Sequence, residues 1–172
     1  MKNLLKFLGI ITLVAVIGFS MTACGENGGD SDGGGNDDNN SGGDGMTWTP
    51  VSDSKFSNNR ISCIAYGDGK FVAGGASGRI AYSSDGVNWT VVTDSIFGSD
   101  DYSSYINCIA YGDGKFVAGG ASGKMAYSSD GITWTYSDVV GTHYIVNINS
   151  IAWGNGKFIA VGDYGKIFYS SN

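Results

Sequence analysis

Short apolar segments alternate with glycine-containing turns along the second part of the chain. In one stretch these segments occupy residues 61–66, 71–75, 79–83 and 89–92, and pairs such as Asp68-Gly69 separate them. Runs of this length that are bounded by turn residues are typical of strands joined by hairpins. None of them has the length or period of a helix. The pattern predicts a four-stranded antiparallel meander, whose first strand is apolar nearly throughout and is therefore expected to be covered on both faces.

The same pattern occurs three times. The copies begin at Ile61, Ile106 and Ile148, which are 45 and then 42 residues apart. Repeats of this length are typical of propellers and related arrays. Residues 47–51 repeat only the fourth strand, ahead of the first copy, so we expect this N-terminal strand to complete the third unit. The prediction is an all-β fold of three four-stranded, propeller-type blades with staggered ends, and a β-trefoil or β-prism is the alternative.

The number of units predicts an assembly. Closed propellers have about four to eight blades, whereas three repeats are present here. Two chains that each contribute three blades would form a six-bladed ring and bury the apolar face at each end. We therefore expect a homodimer.

The first 45 residues have a different composition. Lys2 and Lys6 precede an apolar run over residues 8–21 that suits a secretory signal, and the following sequence, Met21-Thr22-Ala23-Cys24, resembles a bacterial lipobox. The resemblance implies a signal peptide over residues 1–23 and acylation of Cys24. Residues 24–45 are mostly Gly, Asp, Asn and Ser, which predicts a flexible tether before a folded domain at 46–172. We expect an exported protein, lipid-anchored to the bacterial cell membrane or outer membrane.

Charge and cysteine content exclude several kinds of site. The formal net charge is −6, its acidity lies mainly in the tether, and no basic stripe predicts nucleic-acid binding. The tether lacks the ligand spacing of a calcium loop, so neither a metal nor a cofactor is expected. Cys63 and Cys108 occupy the same place in two repeats, where the third has Ser150. This substitution predicts a small buried side chain. We expect no disulfide, because equivalent positions on neighbouring repeats are usually too far apart to bridge, and a disulfide in an exported protein is the alternative.

One hairpin of the repeat carries a family resemblance. Its two full copies read Ser83-Ser84-Asp85-Gly86-Val87-Asn88-Trp89 and Ser128-Ser129-Asp130-Gly131-Ile132-Thr133-Trp134. They resemble the Asp-box (BNR) hairpin of sialidase-like β-propellers, shortened by one residue, and a partial copy contains Asp44 and Trp48. The resemblance implies exported bacterial repeat proteins in which this hairpin joins the third and fourth strands of a blade. We expect the Asp residues to order their turns and the Trp residues to pack between sheets.

The residues for sialidase catalysis are absent. Sialidases use several arginines and a tyrosine assisted by glutamate, but Arg60 and Arg79 are the only arginines and Glu26 is the only glutamate. No catalytic residue is therefore predicted. A glycosidase built from Asp carboxylates is the enzymatic alternative.

Sequence differences among the copies collect at one end of the predicted units. The first and third turns share one end and are almost identical, whereas the second turns and the links at 52–60, 93–105 and 137–147 share the other end and differ. Loops on a rigid scaffold often bind ligands. The candidate ligand-binding residues are Arg60, Asp100, Asp101, Tyr102, Tyr105, His143, Tyr144 and Tyr164. We expect a binding or scaffolding module of the cell envelope for carbohydrate or protein, and the alternatives are a carbohydrate-active hydrolase and a purely structural surface repeat.

Overall fold

In the part of the chain that the structure describes, the regular elements are β-strands and three short 3₁₀ turns. The computed structural model describes residues 46–94, 96–98, 104–137 and 146–171. The expected signal peptide and tether, with Cys24 and Asp44, lie outside these residues. Within the described ranges, no helix has the length and apolar character needed to cross a membrane.

Each repeat forms its own antiparallel sheet, and the strands of each sheet are in chain order. The first sheet contains β1 (Ile61–Gly67), β2 (Lys70–Gly75), β3 (Ile80–Ser83) and β4 (Thr90–Val91). The second contains β5 (Ile106–Gly112), β6 (Lys115–Gly120), β7 (Met125–Ser128) and β8 (Thr135–Ser137). The third contains β9 (Ile148–Gly154), β10 (Lys157–Gly162) and β11 (Lys166–Tyr169). The predicted all-β class is confirmed, and the meander has four strands in two sheets and three in the other.

The first turn of each repeat explains why the strand pairing is so regular. Asp68 and Gly69 have φ angles of 47° and 70°, and the pairs at 113–114 and 155–156 have nearly the same values. Two successive positive φ angles define the type I′ turn, whose twist matches that of the strands it joins. The predicted hairpins therefore form with the expected turn chemistry.

The sheets stack in chain order, because β5 packs against both β1 and β9. A Cβ atom added to Gly67 would lie 2.0 Å from Cγ of Tyr111, and one added to Gly112 would lie 2.1 Å from Cγ of Trp153. The aromatic ring at the end of one first strand thus lies directly on a glycine of the preceding sheet. We call the contact between the first and second sheets the first junction, and that between the second and third sheets the second junction.

Among the three sheets that the structure describes, only the middle one has a first strand that is covered on both faces. β5 is buried on both sides, whereas β1 leaves Ile64 and Tyr66 39% and 58% exposed. The expectation of two covered faces is therefore wrong for β1. The reason is its place in the stack, since no further sheet among the described residues lies beyond it. The third sheet likewise exposes Ile159, Val161 and Ile167 on its far face.

The N-terminal segment differs from its prediction. Residues 46–50 pair with no strand of the described ranges, and the Trp48 side chain is 84% exposed instead of packed between sheets. A fourth strand needs the free edge of a neighbouring sheet. The third sheet, which this segment was expected to complete, lies at the opposite end of the stack from β1.

Candidate binding face

We call the end of the sheets that carries the nearly identical first and third turns the repeated end. In its Asp-Gly hairpins, the Asp side chains accept hydrogen bonds from groups of their own turns. Oδ1 of Asp85 accepts the backbone N–H groups of Val87 and Asn88 at 2.8 and 2.7 Å and the Ser83 hydroxyl at 2.9 Å. The Trp89 indole N–H donates to the carbonyl of Gly86 at 3.1 Å. Asp130 accepts the corresponding three bonds at the same distances, to within 0.1 Å. These bonds close the turn before the fourth strand.

Hydrogen bonding also keeps both carboxylates ionised. The side chain and backbone N–H of Asn88, followed by the N–H of Val87, hold the pKa of Asp85 well below its usual range. The backbone N–H of Thr133 is the main cause that lowers the pKa of Asp130 to about 2, against the opposing effect of burial. A carboxylate needed as a general acid has a raised pKa, so neither residue is suited to that task.

The two hairpin tryptophans pack on the sheets. Trp134 is 6% exposed and belongs to the apolar cluster of the first junction, and Trp89 is half-buried against Phe56, Ala73 and Ala81 on the outer face of the first sheet. Their positions fit a structural role, because large aromatic side chains fill the space beside each sheet.

At the opposite end, each link lies beside the second turn of its own repeat. The carbonyl oxygen of the residue just before the first strand accepts the N–H that opens the second turn. These bonds are Arg60 to Ala76 at 2.9 Å, Tyr105 to Ala121 at 2.8 Å and Asn147 to Asp163 at 3.1 Å. We call this the variable end, and it carries Arg60, Tyr105 and Tyr164, one in each repeat. The other predicted ligand-binding residues, Asp100, Asp101, Tyr102, His143 and Tyr144, lie outside the described residues.

The link after the first sheet is wedged between neighbouring repeats. A Cβ atom added to Gly78 would lie 2.2 Å from the carbonyl oxygen of Gly98. Phe97 is 1% exposed, and its carbonyl accepts a hydrogen bond from Nζ of Lys124 at 3.0 Å. The described part of this link is thus anchored by burial and by both adjacent second turns.

Tyr164 is the most unusual residue at the variable end. It has a φ of 57° and a ψ of 29°, and its side chain is 80% exposed. The equivalent residues in the other repeats are Ser77 and Ser122, with the same left-handed conformation. Bulky residues are uncommon there, because Cβ crowds the following carbonyl group. The third repeat therefore holds a large aromatic ring toward solvent at an energetic cost.

A polar network fixes the turn beneath Tyr164. The Asp163 carboxylate accepts Nδ2–H groups from Asn147 at 2.9 Å and Asn149 at 2.8 Å. Oδ1 of Asn147 in turn accepts the Ser122 N–H at 3.0 Å, which connects the second turns of the second and third repeats. Asn147, Asn149 and Asp163 are not among the candidate ligand-binding residues predicted from the sequence. Their signal was the replacement by Asp163 of the alanine found at positions 76 and 121.

Nothing in this network forms a metal site. Among the residues that the structure describes, no group of three or more His, Cys, Asp or Glu side chains is placed to hold a metal ion. Cys63 and Cys108 point into different junctions, where their thiols donate to the carbonyls of Gly74 and Gly119, and no disulfide joins them.

Comparison with known proteins gives no assignment. No protein-family model matches the chain, and no curated protein matches it significantly.

Proposed function

We propose that this protein is a lipid-anchored, exported binding module of the bacterial cell envelope, and that its variable end holds a carbohydrate. The observation that carries the proposal is Tyr164, an exposed aromatic ring that the backbone supports in an unfavourable conformation. Strained residues that the surrounding structure holds in place are concentrated at functional sites. The turn imposes this conformation in all three repeats, and only the third repeat places a large ring in it.

The surroundings of Tyr164 favour a sugar as the ligand. A tyrosine ring offers an apolar face and a polar hydroxyl, and the C–H groups of a pyranose can lie against such a face. Asp163 precedes it in the chain and accepts hydrogen bonds from Asn147 and Asn149. The two amide groups can donate and accept hydrogen bonds, and the carboxylate can accept them. An apolar platform with a few fixed polar groups is the usual composition of a small-ligand site.

The repeated end serves as the scaffold in this proposal. We interpret the hairpins around Asp85 and Asp130 as Asp-boxes that order the passage from the third to the fourth strand. Their carboxylates are occupied by N–H groups of the same turn. We therefore assign them no role in hydrolysis, and the function proposed is binding without catalysis.

Binding is tested by titrating the full-length, detergent-solubilised protein with gluco-, manno-, galacto- and chito-oligosaccharides and following tryptophan and tyrosine fluorescence. We expect saturable binding of at least one series, with no release of reducing sugar. Failure of every series to bind contradicts the carbohydrate proposal, and release of reducing sugar by the purified protein supports a hydrolase instead.

The lipid anchor is tested separately. Cells that express the full chain are grown with labelled palmitate, and a Cys24→Ser variant is the control. We expect label in the wild-type protein only, because Cys24 is the proposed acylation site and the tether of residues 24–45 separates it from the folded domain. Equal labelling of both proteins, or of neither, contradicts this part of the proposal.

A further inference from the structure

The two junctions between sheets differ at one place. In the first junction, Trp134 is buried in the same apolar cluster as Val72 and Tyr82 of the first sheet. The equivalent residues of the second sheet, Val117 and Tyr127, instead line a cleft of about 900 Å³, and Tyr127 is 41% exposed. No described residue occupies the place in the second junction that Trp134 fills in the first.

The segment at residues 46–51 contains the tryptophan and the strand that are missing beside this cleft. Met46-Thr47-Trp48-Thr49 repeats the pattern Ile132-Thr133-Trp134-Thr135, and its tryptophan is 84% exposed. The outer edge of β11 is unpaired within the described part of the chain. By analogy with the pairs Thr135–Tyr127 and Ser137–Met125, Thr49 would lie opposite Tyr169 and Val51 opposite Ile167.

Pro50, the single proline of the chain, fits this register. Its equivalent in the first sheet is Val91, which pairs with Ala81. The next residue, Val92, donates its N–H to the carbonyl of Ile80 at 2.8 Å. Because N–H groups alternate in direction along a strand, the N–H at position 91 points away from the sheet. A proline there loses no bond to the sheet, and edge strands tolerate it for this reason.

The open faces at the two ends of the stack match each other in the same way. In both junctions an aromatic ring lies on a glycine, as Tyr111 does on Gly67 and Trp153 on Gly112. The glycine that ends the first strand of the third sheet, equivalent to Gly67 and Gly112, is Gly154, where an added Cβ atom would meet nothing within 4 Å. In the first sheet, the aromatic residue equivalent to Tyr111 and Trp153 is Tyr66, which is 58% exposed. The third sheet thus has the glycine site and the first sheet has the ring.

The chain connections indicate which molecule supplies the segment. The fourth strand of one sheet is followed by the first strand of the adjacent sheet, as β4 is by β5 and β8 by β9. By the same rule, residues 47–51 and β1 of one molecule should lie on adjacent sheets. The third sheet of the same chain is not adjacent to β1, because the second sheet lies between them. A second copy satisfies the rule.

We propose that a second copy of this chain docks on the third sheet. Its segment 47–51 pairs with β11, its Trp48 enters the cleft, and its Tyr66 lies on Gly154. When two molecules do this reciprocally, neither open face remains, and six sheets close into a ring. The proposal concerns assembly and is independent of the carbohydrate site.

Disulfide trapping tests the contact in full-length protein in its membrane. Two differently tagged chains, one with Tyr66→Cys and the other with Gly154→Cys, are co-expressed and mildly oxidised. An added Cβ on Gly112 would lie 2.6 Å from Cβ of Trp153. The equivalent positions on two docked copies are therefore in contact, and they reach the Cβ separation of a disulfide, about 3.8 Å, when the two backbones move apart by about 1 Å. We expect a reducible product that carries both tags, and its absence overturns the proposal.

The matched control replaces Gly154→Cys with Val87→Cys, at a 62% exposed position on a hairpin turn. No product with both tags should form. Adding Trp48→Ala to the Tyr66→Cys chain should lower the yield of the linked pair about tenfold, which corresponds to about 1.4 kcal/mol. An equal yield with the control pair, or no effect of Trp48→Ala, overturns the proposal.

The mass of the solubilised protein gives an independent measurement. Multi-angle light scattering, corrected for detergent, should give two chains for the wild type and one for Gly154→Val. The substituted side chain has room in a single chain, so circular dichroism should remain unchanged. A mass of one chain for the wild type, or of two for Gly154→Val, contradicts the proposed contact.

Discussion

Tyr164 is the largest non-glycine residue with positive φ among the described residues. At the equivalent places the chain uses Ser77 and Ser122, whose smaller side chains meet the same backbone requirement. The size of the third residue therefore cannot be explained by the turn alone. Its left-handed conformation could not have been predicted from residue type, because tyrosine disfavours it and the turn is imposed by the repeat.

Replacing Tyr164 by glycine should stabilise the fold. Tyr164→Gly should raise the free energy of unfolding by about 1 kcal/mol, because glycine adopts positive φ without the Cβ penalty. Ser122→Gly is the matched control and should have an effect of similar size. Chemical denaturation of both variants checks this, and a loss of stability in Tyr164→Gly alone would show that the ring contributes packing instead.

The stability of the hairpins should depend on pH. The pKa of Asp130 is lowered from 3.8 to about 2 in the folded protein, so its contribution is present above pH 3.8 and is lost as pH falls toward 2. Asp130→Asn keeps an oxygen acceptor but no charge. Its thermal midpoint should be lower than that of the wild type at pH 7 and should fall less steeply between pH 5 and 2.5. Parallel curves for the two proteins would contradict this assignment.

At the scale of elements, turn chemistry accounts for what could be predicted. The type I′ pairs at 68–69, 113–114 and 155–156 fix the register of the first two strands in every sheet, and these strands match their predicted positions closely. The N-terminal strand could not be predicted in the same way. The motif predicts a strand that completes the third sheet, but a local motif does not specify how the sheets are arranged, and the third sheet lies at the opposite end of the stack from β1.

The polar network around Asp163 could not be predicted from the sequence either. Asn147 lies at the end of a link and Asp163 in a turn sixteen residues later. Their contact depends on how the link returns beside the turn, which no local pattern encodes. The different composition of the third turn did indicate where to look.

The two hairpin tryptophans should differ in their contribution to stability. Trp134→Ala should lower the free energy of unfolding by about 4 kcal/mol, because it leaves a cavity in the first junction. Trp89→Ala should cost less than half as much, since that ring is only half-buried on the outer face of the first sheet. Urea unfolding of the two variants measures the difference. If both variants lost the same free energy of unfolding, the contribution of each tryptophan would come from its hairpin and not from burial in the first junction.

In the whole molecule, the turns that are alike in every repeat lie at one end of the strands, and the turns and links that differ lie at the other end. The repeated end consists of nearly identical turns whose polar groups are satisfied within the same turn. The variable end consists of unlike links and one turn that carries an exposed ring. The sequence indicated this division through the pattern of identical and differing turns, and the structure adds the network that supports Tyr164.

The most direct measurement compares ligand binding after matched substitutions at the two ends. Tyr164→Ser restores the residue type of the other repeats, and Val87→Ser changes an exposed side chain on a hairpin turn at the repeated end. For the oligosaccharide that binds the wild type, Tyr164→Ser should raise Kd at least about tenfold, or 1.4 kcal/mol, while Val87→Ser leaves it unchanged. Loss of affinity in Val87→Ser with none in Tyr164→Ser would place binding at the repeated end and contradict the proposed function.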